Sequence, residues 1–413
     1  MENTVCFGSA DILLPRFIGD PEKGERWAVI ACDQHTSEPA YWEAVKNRVG
    51  KQPSTLHMIL PEAFLSKMNA QTLSDIAKAM HSYEQNVLQE YSDAMIYVRR
   101  TVRSGLVRHG IVGAVDLEAY EYRPGAGSPV RATEGTVLER IPPRVAVRRA
   151  ATLELPHVML LIDDRNHAVI EPLDAQCGDY ERLYSFDLME GGGHIEGYLL
   201  PSNARQSLTK RMQKLFAASG SSIRFAVGDG NHSLASAKAR YEELKEEIGD
   251  AALSHPLRYA LCEVVNLHDA ALTFEPIFRL VRTAEPKQLL AALEAFGRKC
   301  GDGGQSVRCI FDGGEREISL GAGTHSLTVG TLQDFLDRYH AKHPEIEIDY
   351  IHGADALQKL AEEKDSIGFL FDGMDKEALF GAVEQNGALP RKTFSMGEAC
   401  DKRYYIECRK ITE

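Results

Sequence analysis

The stretch that begins at Ser222 constrains the fold most, because the spacing of its apolar residues changes partway along. These residues first lie two apart, the period of a β-strand, at Ile223, Phe225 and Val227. They then recur three or four apart, the period of an α-helix, at Leu234, Ala237, Tyr241, Leu244 and Ile248. The pattern predicts a strand, a tight turn and a helix in immediate succession.

The turn between this strand and helix is short and polar. Gly228 and Gly230 permit backbone angles and close approaches that a side chain would prevent. An acid, an amide, an imidazole and a hydroxyl crowd the turn, at Asp229, Asn231, His232 and Ser233. The first turn of a helix carries unpaired N–H groups and positive partial charge, so an anion such as phosphate can bind there. Alternatively, Asp229, Asn231 or Ser233 only caps the helix.

The turn matches neither common phosphate-binding motif, since the third glycine of GxGxxG and the Gly-Lys-Ser/Thr of a Walker loop are missing. It resembles the Asp-Gly-His-His-Arg turn of a large bacterial and archaeal domain-of-unknown-function family, number ten-fifteen. That family resembles the ParB/sulfiredoxin superfamily, whose members bind nucleotide phosphates at this turn, and free-serine kinases share the core. The resemblance implies an α+β (mixed α/β) fold with a ParB/sulfiredoxin-like core.

A second part of the resemblance lies in residues 130–144. Glu134, Thr136 and Arg144 match a Glu, a Thr and an Arg of the family's box. Thr133 replaces the family's His, and Pro143 replaces its Asp. In the related serine kinases the box glutamate is thought to act as base on the substrate hydroxyl, so the resemblance implies that role for Glu134. Without the family resemblance, Glu134 is one of 60 acidic residues and would be interpreted as a solvated surface group.

An earlier segment of the chain also resembles the family. The run from Ala31 to Trp42 is similar to its N-terminal signature, and Asp33 and Gln34, at a strand end, are expected to line a cleft. Cys32 and His35 invite a nucleophile interpretation, but no third orienting group is evident.

The run 191–198 contains His194 and Glu196, which would point to one side of a strand. They could belong to a metal site, although two ligands do not make one, or to an ordinary hairpin. The family has a similar His-containing strand, which implies that His194 faces the same cleft.

The loop 389–397 resembles the family's Pro-x-Lys-Ser-Thr-Tyr-Phe run, with Lys392 on its lysine. Its possible donors stand beside an apolar anchor, Phe394, and are Arg391, Lys392, Thr393 and Ser395. We interpret the loop either as an arm that reaches the phosphate site across a domain interface or as a surface turn. The alternating residues from Arg403 to Ile411 predict a closing strand.

The 413 residues are enough for two or three domains. We predict an N-terminal α/β segment over 1–92, ending in a long helix from Leu73 to Tyr91. The nucleotide-binding core would span 93–270, and an α+β domain 271–413. The net charge of −13 argues against a nucleic-acid binder.

No apolar run is long enough to span a bilayer, and the residues Met1 to Cys6 do not have the pattern of a signal peptide. The eight cysteines form no CxxC pair, which predicts free thiols in a reducing cytoplasm.

The resemblance implies a nucleotide-dependent phosphotransferase that acts on a small hydroxyl compound with ATP or ADP and Mg²⁺. Its catalytic residues would be Glu134, Asp229 and His232, and its phosphate contacts Gly228, Gly230, Asn231, Ser233, Arg144 and Lys392. Two alternatives stay open: a nucleotide-sensing regulatory protein without turnover, and a phosphoester or nucleotide hydrolase. Ser233 replaces an Arg of the family, and this loss of a phosphate partner favours the sensor. Donor, acceptor, metal and oligomeric state are not determined.

Overall fold

The computed structural model describes residues 5–123, 127–136, 138, 141–312 and 314–413. The chain forms two compact units. Unit 1 comprises Met1–Leu272 and Glu398–Glu413, and unit 2 comprises Thr273–Gly397. The predicted domain boundaries follow residues 92 and 270. The structure instead packs the first two predicted segments, together with Glu398–Glu413, around one core.

Unit 1 contains a mixed sheet, in which ten of the described strands take part. The strands of unit 1 that precede unit 2 in the chain, including four outside this sheet (β2, β3, β4 and β9), are β1 (Phe7–Gly8), β2 (Ala10–Pro15), β3 (Val29–Ile30), β4 (Leu88–Ala94), β5 (Ile96–Thr101), β6 (Val107–Asp116), β7 (Tyr120–Glu121), β8 (Val130–Ala132), β9 (Leu153–Glu154), β10 (Met159–Ile162), β11 (Glu181–Asp187), β12 (His194–Leu199), β13 (Phe225–Asp229) and β14 (Tyr259–Asn266). The order across the large sheet is β11-β12-β5-β6-β14-β10-β13-β8-β7, with β1 on β6.

The helices of unit 1 are α1 (Pro21–Trp27), α2 (Pro39–Val49), α3 (Ala70–Asn86), α4 (Ile141–Ala150), α5 (Ser202–Ser219) and α6 (Asn231–Ile248). Trp27 is fully buried in the core, and its indole N–H donates to the Ile406 carbonyl at 2.8 Å. An aromatic core residue near the start of the chain is thereby bonded to the last segment, which explains why that segment belongs to unit 1.

Unit 2 has a six-stranded sheet among its described residues. Its elements are β15 (Phe274–Arg282), α7 (Pro286–Lys299), β16 (Gln305–Phe311), β17 (Gly314–Gly321), α8 (Thr328–His340), β18 (Glu347–His352), α9 (Ala354–Ala361), β19 (Ser366–Leu370), α10 (Leu379–Asn386) and β20 (Phe394–Met396). Together the two units confirm the predicted α+β (mixed α/β) class.

Two predicted elements have different bounds in the structure. The helix predicted to reach Tyr91 ends at Asn86, because β4 pairs with β2 and places Gln89 opposite Leu14. Tertiary pairing here overrides the local helical pattern.

The strand predicted from Arg403 to Ile411 is two short strands, β21 (Tyr404–Tyr405) and β22 (Arg409–Lys410). They pair with two different partners, β3 and β9, so no single ladder forms.

None of the helices in the described part of the chain is long and apolar enough to cross a bilayer. All eight cysteines are free thiols.

An ion pair near the end of β14 gives unit 1 a pH-dependent stability term. Asp269 Oδ2 accepts from the backbone N–H of His109 at 2.9 Å and lies 3.2 Å from its Nδ1, and Asp174 Oδ1 is 3.7 Å from Nε2. The hydrogen bond to Asp269 raises the pKa of His109 above 6.5. Burial alone would raise the pKa of Asp269, but its hydrogen bonds to His109 outweigh burial and lower it.

We therefore expect His109→Gln to cost stability in a pH-dependent way. The stability that His109 contributes is complete below the pKa of the histidine in the unfolded chain, and it is lost as pH rises through the higher pKa of the folded protein. The stability that Asp269 contributes is lost as pH falls through its lowered pKa in the folded protein. The difference in unfolding free energy between wild type and variant should thus be largest near pH 5–6 and shrink by pH 9. Urea unfolding followed by tryptophan fluorescence measures it, since both tryptophans lie in unit 1. A difference that stays constant over this range would show that the pair is not coupled to folding.

Candidate functional site

The turn between β13 and α6 has the predicted strand–turn–helix form. Gly230 is the N-cap residue of α6 and has left-handed backbone angles, φ 79° and ψ 26°. Among the described residues, no side chain at the N-cap bonds to the first-turn amides. The side chain of Asp229 accepts instead from the adjacent Gly230 N–H at 3.0 Å, and that of Asn231 bonds to Thr133. These bonds do not support the capping alternative for Asp229 and Asn231.

The reason for glycine at 230 differs from the one expected. A Cβ on Gly230 would point into the protein, 3.0 Å from both Cα and Cγ2 of Val158. Together with the positive φ, this contact explains why the turn needs glycine. Gly230→Val would strain the turn and crowd the strand beneath it, so it cannot report selectively on phosphate binding.

Glu134 lies at the same end of the sheet as this turn. β8 runs parallel to β13, with Ala132 opposite Val227, so both strands end at one sheet edge. The fully buried Thr133 donates its hydroxyl to the Val227 carbonyl at 2.6 Å, and its N–H donates to Asn231 Oδ1 at 3.2 Å. The residue that replaces the family's His thereby fixes the Glu134 backbone beside the first turn of α6.

Thr136, two residues further on, has a buried hydroxyl oxygen without a hydrogen-bond partner among the described residues. Val137, Glu139 and Arg140 of the same box lie outside the described residues. His232 and Ser233 are half-buried in the first turn of α6, and Gly228 is half-buried in β13.

The last segment of the chain brings a lysine to Asp229. Lys402 is buried, and its Nζ lies 3.2 Å from Asp229 Oδ2. β21, which follows Lys402, pairs with β3, and the Ala31 N–H donates to the Arg403 carbonyl at 2.9 Å. The segment that contains Asp33 is thus attached beside Lys402.

Asp33 and Gln34 lie beside this lysine, and Gln34 Nε2 donates to Asp33 Oδ1 at 3.0 Å. Burial alone would raise the pKa of Asp33. His157, the Gln34 hydrogen bond and Lys402 outweigh that effect, so the pKa of Asp33 lies below its ordinary value. The two expected cleft residues therefore join a group of charged and polar side chains that includes Asp229.

The imidazole of His157 lies beneath the turn. Its Nδ1 is 2.8 Å from Tyr405 Oη, and its Cδ2 would be 3.4 Å from a Cβ on Gly230. Tyr405 Oη also accepts the Cys32 N–H at 3.2 Å. Burial raises the pKa of the Cys32 thiol to about 12, so the thiol stays protonated near neutral pH. His35 Nδ1 bonds to Glu38 at 3.0 Å, and these contacts do not favour the Cys32–His35 nucleophile.

Arg144 reaches the site from α4, which packs on α6 through Ile141, Val145 and Ala235. Its guanidinium forms an ion pair with Glu62. The Glu62 N–H donates to the Cys32 carbonyl at 2.8 Å, so this pair belongs to the same surroundings as Asp33.

His194 does not join these residues. It lies on β12, and the strands β5, β6, β14 and β10 separate that strand from β13, a distance of roughly 24 Å at ordinary strand spacing. Its Nδ1 bonds to Asp187 at 2.7 Å and its Nε2 to Ser185 at 3.1 Å. The structure therefore places the His-containing strand far from the turn, and we do not include His194 in the site.

The loop before β20 belongs to unit 2. The buried Arg279 donates to the carbonyls of Arg391 and Lys392, at 3.1 and 3.0 Å. Thr393 donates its hydroxyl to Pro390, and Ser395 to Gly397, so two predicted donors bond within their own loop. Lys392 is exposed and has a positive φ of 55°. Its predicted contact with phosphate stays a prediction.

Lys402, His157 and Tyr405 belong to the site but were not predicted from the sequence. His157 had a weak signal, since it is a polar residue at the start of an apolar strand candidate. Lys402 had none, because a lysine is normally exposed. No group of three or more His, Cys, Asp or Glu within the described ranges is arranged to hold a metal ion, and both carboxylate oxygens of Asp229 are already engaged.

The family model described as "Protein of unknown function (DUF1015)" matches residues 15–396, and the chain belongs to this family. No curated protein matches the chain. The relation to ParB and sulfiredoxin stays a prediction.

Three solved structures illustrate the similarity to known folds. A free serine kinase in complex with AMP is 10% identical, with a TM-score of 0.40, and the match covers 72% of this chain and 91% of that one. A free serine kinase variant in complex with ADP is 10% identical, with a TM-score of 0.39 and the same coverage. A conserved hypothetical protein from Pyrococcus furiosus is 11% identical, with a TM-score of 0.36, over 72% of this chain and 94% of that one. These scores are too low to support a conclusion about the function of this chain.

Proposed function

We propose that the protein is a nucleotide-dependent phosphotransferase that acts on a small hydroxyl compound, with ATP or ADP as donor. The observation that carries the proposal is the pair of hydrogen bonds between Thr133 and Asn231, 3.2 and 3.3 Å long. They hold the box of Glu134 against the turn of Asp229. A carboxylate and a helix N-terminus at one sheet edge are what a base and a phosphate-binding turn require.

The phosphates of the nucleotide would lie at the first turn of α6. The N–H groups of Asn231 to Ser233, the Lys402 ammonium and the Thr136 hydroxyl suit anionic oxygens. Within the described ranges, that hydroxyl has no hydrogen-bond partner. Arg144 is available to phosphate if it exchanges its carboxylate partner, Glu62. Asp33 and Gln34 border the same group of side chains.

Glu134 would act on the acceptor hydroxyl. As the hydroxyl oxygen forms its bond to the terminal phosphorus, the carboxylate takes the hydroxyl proton. The bond between that phosphorus and the bridging oxygen breaks, and the shortened nucleotide leaves with the bonding electrons. Hydrogen bonds and positive groups at the turn would stabilise the charge on the transferred group.

A transfer assay tests this function. Wild-type protein is incubated with ATP or with ADP and a panel of small hydroxyl compounds, including hydroxyl amino acids, and phosphorylated products are detected by mass spectrometry. We expect one acceptor to be phosphorylated in proportion to enzyme and time. Release of inorganic phosphate without an acceptor product would indicate a hydrolase. Nucleotide binding without any turnover would contradict the transferase and favour the sensor, to which the serine at 233 also points.

A further inference from the structure

A largely buried ion pair between Lys402 and Asp229, with Asp33 nearby, contributes charge at the turn. The side chain of Lys402 is 8% exposed and that of Asp229 is 19% exposed. A buried ammonium is costly unless a carboxylate compensates it, and Asp229 Oδ2 does so at 3.2 Å. The other oxygen, Oδ1, accepts the Gly230 N–H at 3.0 Å. Each carboxylate oxygen of Asp229 thus has one partner from the chain itself.

The two oxygens of Asp229 bind different partners. At Asp229 one oxygen holds the turn and the other holds an ammonium. A lysine ammonium has three N–H donors and no acceptor, so the contact with Asp229 leaves others for a further anionic group.

We propose that Lys402 is the cation that binds phosphate at this turn and that Asp229 is a positioning residue for Lys402. The proposal rests on the function proposed above. The ligands assigned to the site are phosphate and pyrophosphate groups. Their binding at this turn needs no divalent cation. Lys402 belongs to the segment that follows unit 2, so the turn acquires its charge from the end of the chain.

Pyrophosphate binding in the presence of EDTA tests the proposal. Isothermal titration calorimetry with wild-type protein is expected to show binding, and Lys402→Met should weaken it about tenfold or more, the usual effect of losing a hydrogen bond to a charged group. Lys402→Arg keeps the charge and should bind within a few-fold of wild type. High salt should weaken the wild-type interaction more than that of Lys402→Met.

Lys410→Met is the matched control. Lys410 lies in the same segment and also forms an ion pair, with Glu84 at 3.1 Å, but it is half-exposed and belongs to β22. Its removal should leave pyrophosphate affinity unchanged. If Lys402→Met fails to fold, Lys402→Met with Asp229→Asn removes both charges and allows the same titration.

Several outcomes would overturn the proposal. They are wild-type binding that appears only when Mg²⁺ is added, equal affinity in wild type and Lys402→Met, and no pyrophosphate binding in either condition. Failure of the proposed function gives a different result, because pyrophosphate would still bind through Lys402 while no acceptor is phosphorylated in the transfer assay.

Discussion

Glu134→Gln is expected to lower turnover about 100-fold or more while nucleotide affinity changes little, as for the loss of a general base. Glutamine keeps the size and the hydrogen-bonding oxygen of glutamate but does not take a proton near neutral pH. The buried Thr133 should hold the backbone in place in the variant, because its bonds to Val227 and Asn231 do not involve the Glu134 side chain. The experiment compares kcat in the transfer assay with nucleotide affinity from calorimetry.

Glu246→Gln is the control for this prediction. Glu246 is an exposed residue near the far end of α6, so the same substitution there should leave kcat unchanged. Equal kcat in wild type and Glu134→Gln would exclude Glu134 as the base. A parallel loss of kcat and nucleotide affinity would indicate damage to the turn instead of lost basicity.

Arg403→Met is expected to destabilise unit 1 by about 3–5 kcal/mol, the usual cost of removing one partner of a buried ion pair. Arg403 is buried, and its two terminal nitrogens bond to Glu263 at 2.8 Å and Glu407 at 2.6 Å. Glu407 also accepts from the Tyr184 hydroxyl at 2.6 Å. The variant would leave two buried carboxylates without their cation. Tryptophan fluorescence in urea measures the loss.

Two further variants decide whether buried charge is the cause. Arg103→Met removes an exposed ion pair with Glu398, and it should cost far less stability than Arg403→Met because water already solvates both charges. Glu407→Gln in the Arg403→Met background should recover part of the stability, because one uncompensated charge is gone. No recovery would point to lost packing of the arginine stem as the main cost.

From the sequence, only the family resemblance assigned the box of Glu134 and the turn of Asp229 to one site. The pairing of the strands in the sheet explains why. Periodicity predicts strands and helices, but it does not determine which strands are neighbours. β8 and β13 lie far apart in the chain and pair in parallel. The same limit explains why His194 was expected to face the cleft. Its strand is similar to one in the family, but it lies across the sheet from the turn.

The sequence by itself determined the local structure of the turn, because a change of hydrophobic period around two glycines has few other solutions. It also determined the α+β class and, through its ordered motifs, the family. Only the tertiary structure decided the charge of the site. Lys402 is buried beside Asp229 because the chain returns from unit 2 and pairs β21 with β3. Burial of a lysine depends on a partner distant in sequence, and no local pattern of residues encodes that partner.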